Sequence, residues 1–167
     1  MAKQQIIILS LLLIVLCGCW NTSNKDQKKQ DEFYTVTGGW DWIRVPLLKP
    51  YEAKKVDPEI ETNTWIIVLG DKVTLDNIGN IKKISVVDST IFVLSGGDGD
   101  STYFGGKKVP IALHLLDTKQ KTEKGFVSEE EFKEYISKNN YPQPHWLNID
   151  SLSEALGNGS KVPWIPE

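Results

Sequence analysis

From residue 33 to about residue 116 the apolar positions come in short runs, each closed by glycine, proline or an acidic turn residue. Phe33–Thr37 (FYTVT) is aromatic and β-branched and ends at Gly38-Gly39, which predicts a strand. Trp40–Val45 (WDWIRV) alternates and stops at Pro46, and Tyr51–Val56 (YEAKKV) is a more polar strand ended by Asp57-Pro58. Thr64–Leu69 (TWIIVL) is continuously apolar, the pattern of a strand covered on both faces. Ile84–Val87 and Thr90–Leu94 are separated by Asp88-Ser89, which predicts a two-residue β-hairpin. A glycine-rich loop (SGGDGDSTYFGGKK) follows, then a strand at Val109–Leu116 that keeps Pro110 near its start.

The period then changes. In VSEEEFKEYISKNN, Phe132, Tyr135 and Ile136 fall at i, i+3 and i+4 and give one apolar helical stripe. Ser128 with Glu131 forms a capping box, acids fill the first turn and Lys138 stands in the last, which suits the helix dipole. A second short helix is expected in DSLSEALGNG, with Asp150 as its cap and Gly157 as its stop. Strands first and helices last predict an α+β domain: an antiparallel β-meander of about five to seven strands, with one or two C-terminal helices packed on one face. The proline- and tryptophan-bearing pieces NNYPQPHW and VPWIP read as extended chain laid over that domain.

The N-terminus follows different rules. Ile6–Leu16 is an apolar run of 11 residues behind a short segment carrying Lys3. A bilayer span needs about 20 such residues, whereas a signal peptide needs roughly 7–15 and a small-residue cleavage site. Both cysteines of the chain, Cys17 and Cys19, sit at the end of this run in Leu16-Cys17-Gly18-Cys19. That quartet resembles the lipobox of bacterial lipoproteins. The resemblance implies cleavage between Gly18 and Cys19, attachment of a diacylglyceryl group to the Cys19 sulfur, and acylation of the new amino group with a palmitate-type chain. Cys17 departs from the commoner Ala or Ser, but it is small and leaves with the signal. Two or more acyl chains hold a protein stably at a membrane where one does not, and Trp20 suits the headgroup zone.

The expected organisation is therefore a signal peptide at 1–18, a lipid-anchored flexible tether at 19–32 and one α+β domain at 33–167. Asn21–Glu32 (NTSNKDQKKQDE) contains no apolar residue and can bury nothing. Removing residues 1–18 takes away Lys3 alone among the charged side chains, leaving 18 basic against 22 acidic residues and a net charge of −4. That balance argues against nucleic acid as a partner. A domain of this length can bury a core without disulfides.

Beyond the anchor, the stretch TVTGGWDWIRVPLLKPYEAKKV, with the later WIIVL and ISVVDSTIFVL, is similar to a family of small bacterial lipoproteins carrying a domain of unknown function. The resemblance implies an envelope location, and it brings no activity and no catalytic residues.

Candidate chemistry is sparse. Asp98–Thr102 (DGDST) places oxygen ligands at alternate positions as calcium loops do, but it lacks the third acid and the closing Glu of an EF-hand, so a solvated connection is the expectation. His114 lies in an apolar strand with Asp117 three residues on, which puts the two on opposite faces. His145 sits in a proline-bound loop. No Gly-x-Ser-x-Gly elbow is present and no cysteine lies in the domain, so no catalytic residue, metal ligand or cofactor is assigned. If Trp40–Val45 is a strand, Ile43 and Val45 face the core, while Trp40, Trp42 and Arg44 share the opposite side, which is either covered by the C-terminal segment with Trp146 or Trp164 or open as a candidate binding face. The reading that results is a membrane-tethered, non-enzymatic interaction or accessory domain, attached to the membrane through Cys19 and meeting a protein or glycan partner. The alternatives are an envelope glycan-binding or glycan-processing protein, favoured by the tryptophan count, and a toxin-neutralising immunity lipoprotein.

Overall fold

The computed structural model describes residues 31–39, 42–56, 64–69, 72–73 and 78–165. These carry an α+β fold in which antiparallel sheets come first and both α-helices come last. A meander of β1 (Trp42–Pro46), β2 (Tyr51–Val56), β3 (Trp65–Leu69) and β4 (Lys72–Val73) forms a four-stranded sheet in sequence order. The second sheet is built from β5 (Ile81–Val87), β6 (Thr90–Gly96), β9 (Ile111–Asp117) and β10 (Thr122–Phe126), with β11 (Leu147–Asn148) on the outer side of β5. Between β6 and β9 the chain makes a separate hairpin, β7 (Thr102–Phe104) with β8 (Lys107–Val109). Seven of these strands have five residues or more, matching the number expected; the others are pieces of two or three residues.

Each sheet obeys its alternation. Val45, Ala53 and Ile67 stand in register across β1, β2 and β3 and are fully buried. They join Trp65, Ile84, Ile91 and Val93 in one core between the two sheets. Phe92 in β6 points the other way and meets Leu113, Leu115 and Phe126 in a second core. Both faces of β6 are therefore apolar, and each needs its own cover. Helix α1 (Glu129–Lys138) buries Phe132 and Ile136 against the second core, and α2 (Ile149–Gly157) buries Ile149, Leu152 and Leu156 in the first. The helices thus divide between the two faces of the five-stranded sheet, one helix to a face. The C-terminal segment returns to the first core through Val162 and Trp164, whose indole N–H donates to the carbonyls of Leu47 (3.2 Å) and Pro46 (3.3 Å).

Local chemistry corrects several expectations. Phe33–Thr37 is not a strand. Glu32–Tyr34 forms a 3₁₀ turn capped by Asp31, whose carboxylate accepts from Phe33 N at 2.9 Å. Asp31 and Glu32, assigned to the tether on composition, belong to this first described turn, and Lys49 pairs with Asp31 at 2.7 Å. The Ser128 hydroxyl accepts from Glu131 N as a cap should and donates to the Glu130 carboxylate, while the return bond of a box, from Ser128 N to the Glu131 carboxylate, is not made. The cap of α2 is Asn148, whose side chain accepts from Ser151 N at 3.0 Å, and the chain turns left-handed at Gly159 (φ 87°) beyond the expected stop at Gly157. The hairpin turn after β5 keeps its two expected residues, with Asp88 at φ 53°. Glycine is required at Gly96, where φ is 72° and a side chain would meet the Pro110 carbonyl at 2.6 Å. Among the described residues, no helix is long and apolar enough to cross a membrane.

Candidate functional site

Trp40, Gly18 and Cys19 lie outside the described residues. The rest of the expected binding face is on β1. Ile43 and Val45 turn into the first core, so Trp42 and Arg44 turn outwards. The half-buried Trp42 indole is flanked by two cations, the Arg44 guanidinium at 5.9 Å and the Lys54 ammonium at 5.7 Å from its ring centre. Arg44 also lies 5.1 Å from the Phe33 ring.

Each guanidinium nitrogen of Arg44 has a protein acceptor. Nη1 donates to Glu52 Oε2 at 2.6 Å, Nη2 to Phe33 O at 2.6 Å, and Nε to Val36 O. Lys54 meets the other Glu52 oxygen at 2.7 Å, and Glu52 is only 4% exposed. The planar fork of arginine suits this task, because it spans several acceptors at once. The cluster fastens residues 33–37 over the outer face of the first sheet, and its charges are spent on that bracing.

A different surface is concave. Beside the apolar side of α1, with Phe132 and Ile136, a gap opens over the five-stranded sheet at the half-buried Leu94, with the buried Leu113 beneath it. The chain after α1 runs back along this gap. It is held there by His145 N donating to the buried Ser85 hydroxyl at 2.8 Å and by the pairing of Leu147 and Asn148 with Ile84 and Lys83. Trp146 forms the second wall, its ring 6.3 Å from Phe132. The groove has a volume of about 370 Å³, and its rim carries Lys83, Gln143 and the Lys133–Glu129 pair at 3.0 Å. The indole N–H groups of Trp65 and Trp164 are bonded to protein acceptors. That of Trp146 has none among the described residues, and the ring is half-exposed. Its walls come from β5, β6, β9, α1 and the 143–146 segment, so no local motif marks it. The one signal in the sequence is a tryptophan inside the proline-bound NNYPQPHW.

The other polar positions serve the fold. Asp117 is 5% exposed; its carboxylate accepts from Gln120 N at 2.8 Å, Lys119 N at 3.0 Å and the Tyr141 hydroxyl at 3.3 Å. Burial, reinforced by the Asp117 charge, raises the pKa of the Tyr141 phenol above its ordinary value. His114 is 2% exposed, tilts against Phe104 at 5.7 Å and has Nδ1 3.9 Å from Glu123, as a core histidine on the face away from α1. In the glycine-rich loop Asp100 pairs with Lys82, and the loop is pinned by Asn80 Nδ2 donating to Ser101 O at 2.7 Å. Among the described residues no three His, Cys, Asp or Glu side chains converge as metal ligands. No protein-family model, curated protein or solved structure matches the chain.

Proposed function

We propose that the chain is a lipoprotein of the bacterial cell envelope, held to a membrane by acyl chains on Cys19, and that its folded part is a non-enzymatic binding domain. The observation that carries the anchor is the order of residues: an apolar run of 11, too short to span, ending in Leu16-Cys17-Gly18-Cys19, with both cysteines of the chain placed there. The binding reading is supported by how the buried charges are used. Glu52 and Asp117 are committed to Arg44, Lys54, backbone amides and Tyr141, all of which brace the fold. The groove beside Trp146, by contrast, is lined by Lys83, Gln143 and Trp146, whose side-chain donors have no partner among the described residues.

The test of the anchor is metabolic. Cells given a labelled fatty acid are expected to yield labelled protein in the membrane fraction. Cys19→Ala is expected to abolish the label and leave uncleaved precursor or released protein. Undiminished labelling of that variant would overturn the proposal.

A further inference from the structure

We infer that the groove between α1 and Trp146 is a carbohydrate site that takes an acidic sugar, a hexuronic acid residue of a glycan. This deepens the binding reading above and rests on it. Small-molecule sites measure about 300–1,000 Å³ and combine an apolar surface with a few oriented polar groups. The groove, at about 370 Å³, falls at the small end, the scale of one or two sugar rings.

Its chemistry separates sugars from apolar ligands. The floor is aliphatic at Leu94 and Leu113, and one wall is the half-exposed indole of Trp146. The rim is polar, with Gln143 and Lys83 both exposed. An apolar peptide side chain seated here would cover the Trp146 N–H and the Gln143 amide without bonding them, and buried donors without acceptors are costly. A pyranose suits both halves. Its C–H face packs on the indole and the aliphatic floor, while its equatorial hydroxyls reach the N–H and the amide.

Charge then selects among sugars. Lys133 is occupied by Glu129 at 3.0 Å, whereas Lys83 has no ion pair among the described residues. It stands on β5, in register with Leu94 of the floor. A carboxylate on the ring meets this ammonium at the mouth of the groove.

The full-length chain in detergent micelles, titrated calorimetrically with oligomers of glucuronic, galacturonic and mannuronic acid and with their neutral hexose counterparts, tests this. At least one acidic oligomer is expected to bind tenfold or more tightly than its neutral counterpart. Lys83→Gln, on an exposed side chain, is expected to erase that preference with the melting temperature unchanged. Trp146→Phe, which keeps an aromatic wall but removes the N–H, is expected to weaken acidic and neutral oligomers alike by tenfold or more. No binding of any oligomer at millimolar concentration would overturn the inference. So would acidic binding that both variants leave intact, or binding of an apolar peptide in place of the sugars. Failure here with Cys19 still labelled and the protein still in the membrane would remove the ligand class and leave the anchor standing.

Discussion

Arg44 shows how a side chain that looks like a ligand contact becomes a brace. On β1 it faces away from the core beside Trp42, and a positive charge next to an open indole is a familiar recognition pair. Its three nitrogens instead reach Glu52, Phe33 O and Val36 O, eight to eleven residues away along the chain. Arg44→Met is expected to destabilise the protein by about 3 kcal/mol, the low end of the cost of breaking a buried pair, because Lys54 remains on Glu52. Arg44→Lys keeps the charge but cannot span the acceptors, so it is expected to restore less than half of that loss. Urea unfolding of the two variants measures both; two curves superimposable on wild type would mean that residues 33–37 are held by other contacts. Alternation alone places Arg44 on the outer face, and that much is legible in WDWIRV. Its acceptors are backbone carbonyls of a turn and a carboxylate on the next strand, which no local pattern reveals.

At the scale of elements, the pieces with a strong period are legible and the polar ones are not. Tyr51–Val56 has the bounds its residues suggest, and the Asp88-Ser89 turn sits where the two apolar runs require it. Thr122–Phe126 (TEKGF) has no apolar alternation, yet it forms β10 because β9 offers it an open edge. The β7–β8 hairpin, a separate two-stranded sheet, is likewise hidden within a loop-like composition. Helix α2 illustrates a competition between two good caps. Asn148 takes the capping role, which frees Asp150 to accept from Trp65 Nε1 at 2.8 Å and to pair with Lys55 at 3.3 Å, tying the helix to the first sheet. Asn148→Ala is expected to cost about 1 kcal/mol, as the loss of a helix cap does.

Asp150→Asn tests the tie through pH. Burial opposes ionisation of this carboxyl, but the hydrogen bonds from Trp65 and Lys55 and the Lys55 charge outweigh it, so its pKa lies below the ordinary 3.8. A lowered carboxyl pKa contributes stability that is fully present above 3.8 and fades as pH falls through the folded value. Wild type is therefore expected to melt higher than Asp150→Asn at pH 7, with the gap closing in acid below pH 3.8. A gap that is constant or grows on acidification would show that the carboxylate charge contributes nothing there.

For the whole molecule, two cores on opposite sides of one five-stranded sheet explain why the chain needs both a second sheet and a helix on each face. They also explain why the concave surface lies where it does: α1 is ten residues long and does not cover the whole second face, so a groove remains between it and the returning segment with Trp146. The class, strands before helices around an apolar core, follows from the order of periods in the sequence. The groove does not, since it exists only where five elements meet. In the proposed function the folded part is a binding domain and Cys19 is its attachment to a membrane. The measurement that reaches this attachment most directly is intact mass spectrometry of the native protein extracted from membranes. It is expected to return a chain that has lost residues 1–18 and gained the mass of a diacylglyceryl group and a further acyl chain on Cys19. A chain that retains residues 1–18, or one that begins elsewhere and carries no lipid, would contradict it.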